Sequence, residues 1–508
     1  MKVLMVPLDD RPVTYCLPQS IAKVAGVEAL VPPRQLFGTL KQGANVDALF
    51  NWIDTTLGST KVDAIFVCVD TLVYGGLINS RRSSETLPTL LSRVSSMANW
   101  KKKAGQTPIF IQSSIMRISD NHDATEEKEY WARYGREIFA WSTNLHRLNA
   151  QGSIASGVLR ESEMRVPETI RQDYVKTRFR NYQINLALLE QVNKGAFSRV
   201  VYSLDDSGEH GLNVLEQEKI LTRIKQLNLS ERALTYAGAD EVLCSMFAFW
   251  LSQTSEQRAS SPSGPMAMIQ YALPATEFCQ SRYEGQSIGN SVRAQMKACG
   301  LRTVDADAEK QVLASLCVIV HGGENGQGDH ILLPGHQDLR SIDTKEAVAS
   351  TLELIASSEL PCILCDVAYA NGADPLLVQS LLEKPNLLAK LYAYGGWNTS
   401  GNTLGSTLAL GIARWFAADS ERSARALKDV LYIRLADDWA YQTQVRRNLS
   451  AVSVPHLQEQ MRPLLDKIST ALGYSPEREN ISFPWDRSFE VEIDTAGSRA
   501  TAGSASSL

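Results

Sequence analysis

The sequence lacks the two features that would point to a membrane or a nucleic acid. It has no uninterrupted run of about 18 apolar residues, the minimum for a membrane-spanning helix. It also has no excess of positive charge, because 51 Lys and Arg stand against 56 Asp and Glu, a net charge of -5. Proteins that bind a polyanion carry surplus positive charge. We therefore expect neither a membrane nor a nucleic acid as partner.

A secretory signal is also missing from the sequence as given. Asp9, Asp10 and Arg11 interrupt the only early apolar run, whereas a signal peptide needs a basic segment followed by an unbroken apolar one. We expect a cytoplasmic protein.

The eight cysteines are scattered, and their spacing gives no disulfide or zinc pattern. Cys362 and Cys365 have the separation of a zinc-binding pair, but no second pair accompanies them, and residues three apart in a strand face opposite sides. We expect free thiols, no metal site and no cofactor. The cysteines are Cys16, Cys68, Cys244, Cys279, Cys299, Cys317, Cys362 and Cys365.

What the sequence does contain is an alternation of apolar strand-like runs with helical patterns. Its 508 residues are 44% hydrophobic, which is typical of a globular protein. The alternation predicts an α/β fold, and we expect a (β/α)8-like barrel with long insertions and a helical C-terminal extension. The predicted segments are a catalytic barrel over 1–417 with a helical insertion at about 115–198, a helical extension over 418–495 and a disordered tail over 496–508.

The predicted insertion contains a long helix that begins near Pro167 and ends near Gly195. Its polar residues predict either a face toward the mouth of the barrel or a solvated face. They are Arg178, Arg180, Asn181 and Asn185.

Five of the apolar runs end in acidic residues. One such strand end is explained by turn formation and helix capping, for which Asp is well suited. Five together favour a site, because the carboxyl ends of parallel strands lie on one face of an α/β fold. These acids are Asp9, Asp10, Asp70, Asp205, Asp206, Asp240, Glu241 and Asp366.

Asp205 and Asp206 are the foremost catalytic candidates. Neighbouring residues of a regular strand face opposite sides, so both acids reach one pocket only if the strand end bends, which Ser207 and Gly208 permit. Two close carboxylates do not both ionise easily, and one then serves as an acid and the other as a base or orienting group. The alternative is a helix cap beside a surface acid.

The Asp-Asp pair after an apolar strand resembles the catalytic signature of barrel hexosaminidases of the O-GlcNAcase type, which use the 2-acetamido oxygen of the substrate as nucleophile. The later runs Ile363-Leu-Cys-Asp-Val-Ala-Tyr-Ala-Asn-Gly-Ala-Asp374 and Tyr394-Gly-Gly-Trp-Asn-Thr-Ser-Gly-Asn402 follow in the order of that family. The resemblance implies that Asp205 holds the acetamido group and Asp206 is the general acid and base. It also implies hydrogen bonds to sugar hydroxyls from Asn371, Asp374 and Asn398.

Two further resemblances accompany this one. Tyr236-Ala-Gly-Ala-Asp-Glu241 is similar to the Gly-Gly-Asp-Glu of another acetamido-assisted hexosaminidase group, which makes Asp240 and Glu241 alternative catalytic residues. As a whole, the chain resembles an uncharacterised bacterial family, marked by Pro-Leu-Asp-x-Arg-Pro-Val and Gly-Trp-Asn-Thr motifs, that has no activity we can carry over.

Other strand ends supply candidate substrate-binding residues. The glycine-rich turn around Trp397 permits stacking on a sugar ring, although Trp397 can equally pack in the core. Asp9, Asp10 and Arg11 form either a local ion-paired turn or, through Arg11, a site for an anionic group. The remaining candidates in this class are Asp70, Tyr74, Asp366 and Asn402.

A metal-dependent alternative uses the acids at the strand ends with His321 or His330 as ligands. His321, Asp329 and His330 lie in a glycine-rich segment that is otherwise a mobile loop at the mouth. Asp437 and Asp438 lie in a C-terminal helical pattern, where a solvated face is expected.

We therefore expect a glycoside hydrolase, sharpened by the resemblance to a retaining, acetamido-assisted hexosaminidase that acts on a small-molecule or oligosaccharide substrate. The alternatives are a metal-dependent hydrolase and a non-catalytic sugar- or metabolite-binding protein. The sequence leaves the oligomeric state open.

Overall fold

The computed structural model describes residues 1–151, 156–258, 264–304, 314–332, 337–449, 452–477 and 479–495. The predicted disordered tail at 496–508 lies outside these ranges. The chain forms two compact units. The first unit consists of Met1–Asp10, Leu30–Leu243 and Tyr283–Gly285, and the second of Arg11–Ala29, Cys244–Arg282 and the chain from Gln286 onward.

The first unit is built on a six-stranded sheet with the strand order β2-β1-β3-β4-β5-β6. The pairs from β1·β3 to β5·β6 are parallel. Every residue of β3, β4 and β5 is buried, as expected for strands covered on both faces. The strands are β1 (Lys2–Val6), β2 (Glu28–Leu30), β3 (Ala64–Cys68), β4 (Ile109–Ile115), β5 (Arg199–Leu204) and β6 (Ala233–Ala237).

The second unit contains a five-stranded parallel sheet with the order β13-β11-β9-β7-β8. Its main strands are β7 (Met266–Tyr271), β8 (Arg302–Thr303), β9 (Leu316–His321), β11 (Cys362–Asp366) and β13 (Leu391–Gly395). Two small pairs accompany it: β10 (Gly328–Asp329) with β12 (Tyr369–Ala370), and β14 (Glu479–Ser482) with β15 (Glu492–Thr495).

Helices connect most of these strands. In chain order they are α1 (Pro12–Val24), α2 (Val46–Ser59), α3 (Leu77–Arg82), α4 (Leu87–Ala104), α5 (Trp131–Gln151), α6 (Ser156–Met164), α7 (Glu168–Asn193), α8 (Leu212–Gln226), α9 (Val242–Arg258), α10 (Ile288–Cys299), α11 (Lys345–Ser357), α12 (Pro375–Leu382), α13 (Pro385–Leu388), α14 (Ser400–Phe416), α15 (Glu421–Arg434) and α16 (Val454–Leu472). Segments Asp70–Tyr74 and Leu435–Val445 are π-helical. Short 3-10 turns occupy Arg34–Leu36, Pro274–Phe278, Arg446–Asn448 and Pro484–Asp486.

The two sheets share one winding pattern. In each, the second strand lies at the edge beside the first, and the third strand continues on the other side of the first. This is the order of doubly wound α/β folds, in which ligands bind outside the carboxyl ends of the strands. Both units therefore present a carboxyl edge at which a site can form.

The sequence prediction of a mixed α/β fold with parallel strands is confirmed, but the closed barrel is not. Among the strands that the structure describes, β2 and β6 are the edges of the first sheet, and β8 and β13 are the edges of the second. The compact units follow these two sheets, so the division at residue 417 stays a prediction. Within the described ranges, no helix has the length and apolar character needed to cross a membrane.

Candidate functional site

The end of β5 carries the two foremost acids. All six residues of β5 are buried, and Asp205 and Asp206 follow it directly. Asp206 has a φ of 38°, in the left-handed region that a non-glycine residue rarely adopts. The backbone therefore bends at the strand end, as the sequence predicts for two neighbouring acids that reach one pocket. The side chains of Asp205 and Asp206 are 22% and 32% exposed, so both are accessible.

One arginine contacts both acids. Arg117 follows β4 by two residues, and its Nη1 atom lies 3.7 Å from Oδ2 of Asp205 and 3.0 Å from Oδ2 of Asp206. Nη2 of Arg81, at the end of α3, lies 2.9 Å from Oδ2 of Asp205. The two aspartates therefore belong to one site. The segments that follow β3, β4 and β5 supply its side chains.

Two glutamates complete this arrangement on the far side of the arginines. Oε1 of Glu127 lies 3.0 Å from Nε of Arg117 and 3.2 Å from Nη1 of Arg81. Oε2 of Glu126 lies 3.0 Å from Nη2 of Arg117. The carboxylates outnumber the guanidinium groups four to two. We refer to Arg81, Arg117, Glu126, Glu127, Asp205 and Asp206 as the carboxylate–arginine cluster.

Burial and charge distinguish Asp206 within this cluster. Burial, followed by the neighbouring negative charge of Asp205, raises the pKa of Asp206 to about 6, although Arg117 opposes the shift. The pKa of Arg117 rises well above its usual value, because the surrounding carboxylates outweigh the effect of burial. Asp206 can therefore hold a proton near neutral pH while remaining accessible, which is what a general acid requires.

Asp70 lies behind the cluster, at the end of β3. It is buried and accepts a hydrogen bond of 2.9 Å from the backbone N–H of Ser114. Burial raises the pKa of Asp70 to about 6. Tyr74 is also buried, and the guanidinium of Arg180 lies 5.6 Å from its ring centre. The ring borders a cavity of about 480 Å³ that Arg82 and Arg93 also line.

Helix α7 supports the two arginines of the cluster from behind. Nη1 of Arg178 donates to the carbonyl oxygen of Arg117 at 3.4 Å. Arg180 and Asn181 donate to the carbonyl oxygen of Ser80, next to Arg81, at 2.7 and 3.0 Å. The solvated-face alternative is wrong here: Arg178, Arg180, Asn181 and Asn185 are all buried, and they form hydrogen bonds with backbone carbonyl groups and with Ser113 of β4.

The alternative acid pair follows β6, the strand next to β5. Asp240 and Glu241 are both buried. Oε2 of Glu241 accepts a hydrogen bond of 2.9 Å from the N–H of Ala239, so the side chain folds back on its own loop. Gly238 makes room for it: its φ is 133°, and a Cβ atom there would lie 2.2 Å from Oε1 of Glu241. The pair at 205 and 206 is thus the more accessible of the two.

In the second unit, a buried network joins the ends of β9 and β11. The ring of His321 lies between Thr351 and Asp374, with Nδ1 2.8 Å from Thr351 Oγ1 and Nε2 2.9 Å from Asp374 Oδ2. Oδ2 of Asp366 accepts from the N–H of Asp374 at 2.7 Å and from the hydroxyl of Tyr394 at 3.3 Å. Asp374 also caps α12, because its Oδ1 accepts from the N–H of Leu376.

The charges of His321, Asp366 and Asp374 shift one another's pKa values. Burial raises the pKa of Asp366 to about 7. Burial lowers the pKa of His321, but the hydrogen bond to Asp374 and the charges of Asp366 and Asp374 outweigh it and raise the pKa overall. Burial raises the pKa of Asp374, but the hydrogen bond and charge of His321, together with hydrogen bonds from Thr344 and Leu376, outweigh it and lower the pKa overall. Since His321, Asp366 and Asp374 are all fully buried, the network braces the strand ends.

The amides predicted to bind hydroxyls meet through the backbone. The N–H of Asn371 donates to the carbonyl oxygen of Asn398 at 2.8 Å, and both residues have a positive φ, of 61° and 63°. Nδ2 of Asn371 donates to Oδ1 of Asp329 at 3.0 Å. Asn402 lies in the first turn of α14, where its N–H donates to Oγ1 of Thr399, the N-cap of that helix. Their contacts to sugar hydroxyls stay a prediction.

Trp397 packs inside the second unit. It is buried, with its ring edge-on to Phe489 at 6.3 Å between centres and the guanidinium of Arg434 6.0 Å from its centre. This arrangement is the core-packing alternative that the sequence left open.

Sequence reasoning missed the role of Asp438. It lies in the π-helical segment Leu435–Val445, where Asp437 and Asp438 are both buried, so the expected solvated face is wrong. Oδ2 of Asp438 accepts from the N–H of Gly396 at 2.8 Å, and Arg434, one turn earlier, forms an ion pair with it. The four-residue spacing of Arg434 and Asp438 was the available signal.

Asp10 and Arg11, which follow β1, contact residues outside their own turn. Nε of Arg34 lies 3.8 Å from Oδ2 of Asp10. In the second unit, Nη1 of Arg11 lies 3.8 Å from Oε1 of Glu490, and its guanidinium is 5.3 Å from the ring centre of Trp485. Asp9 is buried.

The residues of the metal-dependent alternative do not converge. Both ring nitrogens of His321 face protein groups, and Nε2 of His330 lies 2.9 Å from the carbonyl oxygen of Ala373. Asp329 contacts Asn371. Over the described part of the chain, no three His, Cys, Asp or Glu side chains are arranged to hold a metal ion.

Comparison with known proteins places the chain in a family. Residues 3–494 match the model of the family described as "Protein of unknown function (DUF4127)". The chain belongs to this family. No curated protein and no solved structure matches it. Family membership confirms the predicted resemblance to an uncharacterised family and brings no activity with it.

The predicted site residues are divided between the two units. Asp70, Tyr74, Asp205, Asp206, Asp240 and Glu241 belong to the first unit, and Asp366, Asn371, Asp374, Trp397, Asn398 and Asn402 to the second. A single cleft that unites both sets stays a prediction. Among the predicted catalytic acids, Asp206 combines an accessible side chain with a raised pKa.

Proposed function

We propose that the protein is a glycoside hydrolase in which Asp206 donates the proton to the leaving oxygen. The observation that carries this proposal is the environment of Asp206, an accessible carboxyl group whose pKa is raised to about 6 by burial and by Asp205. Glycoside cleavage needs a carboxylic acid that is still protonated near neutral pH and a second carboxylate beside it.

Asp205 is the second carboxylate. Arg81 donates a hydrogen bond of 2.9 Å to its Oδ2 atom, and Oδ1 accepts no hydrogen bond from the described residues. Oδ1 is therefore available to a ligand. In the acetamido-assisted form of the proposal, it accepts the N–H of a 2-acetamido group and orients the acetamido oxygen toward the anomeric carbon.

The position of the acids in the fold supports the proposal as well. They lie at the carboxyl edge of a doubly wound sheet, where ligands of such folds bind. The mechanism needs only this edge of the first unit and does not require a closed barrel.

The experiment measures turnover of aryl glycosides, including 2-acetamido-2-deoxy sugars, by the wild type and by Asp206→Asn. The substitution should lower kcat by about 10²- to 10⁴-fold, because the proton donor is lost. The loss should be larger for a leaving group of higher pKa, since its oxygen depends more on protonation. Wild-type activity should fall as pH rises above about 6, where Asp206 loses its proton.

Asp419→Asn is the matched control, because the Asp419 side chain is 92% exposed and contacts only Arg414 among the described residues. It should leave turnover unchanged. If Asp206→Asn were as active as the wild type, Asp206 would not be the acid. If sugars raised the melting temperature of the wild type without any product, the non-catalytic binding alternative would replace the hydrolase.

A further inference from the structure

Helix α7 buries polar as well as apolar side chains and leaves large apolar side chains exposed on its outer face. The face toward the sheet carries Arg178, Arg180, Asn181 and Asn185, all buried and hydrogen-bonded. The outward face carries apolar side chains among its polar ones, and Val175 and Phe179 are 45% and 58% exposed. The outward face of a surface helix is normally polar. An exposed apolar face of this kind is typical of an interaction surface.

The outward residues follow the spacing of a helix–helix seam. Val175, Phe179, Tyr182 and Leu186 are separated by four, three and four residues, the repeat of apolar positions in paired helices. Beside them lies a groove of about 830 Å³ between α4, α7 and α8. Its apolar lining comes from Leu87, Leu91, Tyr182, Leu186, Ala187 and Leu215.

We propose that this face binds a second copy of the chain, with the two α7 helices antiparallel about a two-fold axis near Tyr182 and Gln183. In that arrangement Phe179 of each copy lies opposite Leu186 of the other and fills its groove. The protruding side chain and the groove are on the same face, as a two-fold interface requires, since the same patch serves both copies.

Charges around the seam are complementary in the same register. Lys176 is exposed and forms no ion pair within the described residues, and in the antiparallel register it comes next to Glu190 of the second copy. Glu190 is 39% exposed and is bound on one side by Arg223, at 2.9 Å. Lys176 of each copy therefore lies near Glu190 of the other, and the two-fold axis places one such pair at each end of the interface.

Such a dimer would also affect the candidate site, because α7 positions two of its arginines. The inward face of α7 holds the backbone of Arg117 and of the residue before Arg81. Pairing of the outward faces would therefore stiffen the helix that positions both arginines. The dimer itself does not depend on the proposed hydrolase activity.

The test is sedimentation equilibrium of the full chain from about 1 to 100 µM. The wild type should sediment with twice the chain mass of 56.0 kDa. Phe179→Asp should raise the dissociation constant at least about tenfold, because it replaces the apolar side chain opposite Leu186 with a charge. Phe278→Asp is the matched control, since Phe278 is 78% exposed and lies in the second unit, and it should leave the dimer intact.

Charge reversal tests the register. Lys176→Glu and Glu190→Lys should each weaken the dimer, and the double variant should restore part of the loss, because the two charges exchange places across the axis. A monomeric wild type at 100 µM, or a Phe179→Asp variant that dimerises like the wild type, would overturn the proposal.

Discussion

Nη1 of Arg117 lies 3.0 Å from Oδ2 of Asp206 and 3.7 Å from Oδ2 of Asp205, so one guanidinium group contacts both acids at the end of β5. This relationship brings two neighbouring strand-end residues into one site. It also opposes the rise in the pKa of Asp206 that burial and Asp205 cause.

Replacing Arg117 should therefore raise the pKa of Asp206 above about 6, because its nearest opposing charge is removed. The measurement is a ¹³C NMR titration of the carboxyl carbons in Arg117→Met and the wild type. Arg136→Met is the control, since the Arg136 side chain is half exposed and lies 4.0 Å from Asp120. An unchanged or lower pKa of Asp206 in Arg117→Met would contradict the assigned role of Arg117.

The buried carboxyl of Asp366 should make the free energy of unfolding depend on pH. Its folded pKa, about 7, is above the ordinary value of 3.8, so the stability it contributes is complete below about pH 4 and is lost as pH rises through 7. Asp366→Asn removes this titration. In urea unfolding, the free energy of unfolding of Asp366→Asn relative to that of the wild type should be higher at pH 8 than at pH 5.

Asp338→Asn controls for the change of residue type. The pKa of Asp338 is lowered to about 2 by its hydrogen bonds to Arg340, so its contribution is present above the ordinary value and is lost only as pH falls through 2. The free energy of unfolding of Asp338→Asn should therefore differ from that of the wild type by the same amount at pH 5 and at pH 8. An Asp366→Asn effect that is equal at pH 5 and pH 8 would show that Asp366 does not titrate in this range.

Gly238→Ala should destabilise the loop that carries Asp240 and Glu241. The added Cβ would meet Oε1 of Glu241 at 2.2 Å on a backbone with a φ of 133°, and we expect a loss of about 2 kcal/mol or more in the free energy of unfolding. Gly58→Ala, in α2 with no atom within 4 Å of the added carbon, should cause no loss. Equal effects of the two changes in urea unfolding would rule out this steric requirement.

Arg178, which is buried, and Glu216, which is partly buried, form an ion pair that can be tested by a double-mutant cycle. Two bonds of 2.8 Å join them. Arg178→Met should cost about 3 kcal/mol, because it leaves the Glu216 carboxylate unpaired, and Arg178→Met with Glu216→Leu should recover much of that loss. Urea unfolding of the four proteins gives the coupling, and strictly additive effects would mean that the two residues do not interact energetically.

The local features of the fold were predictable from the sequence. The apolar run Arg199–Leu204 and the acids after it gave a strand with a bent end, and the structure contains both. The surroundings of those acids were not predictable: Arg117 is 89 residues from Asp206 along the chain, and Arg81 is 124 residues from Asp205. The spacing of apolar and polar residues along the sequence does not predict contacts between residues so far apart.

By itself, the sequence determined where strands and helices form and that acids follow the strands, because side-chain alternation and turn residues act over a few neighbouring residues. Only the tertiary structure decided that the strands form two sheets, that the polar face of α7 is buried, and that two arginines meet the acids of β5. Those outcomes depend on which distant segments pack together, and the same apolar pattern is compatible with several pairings.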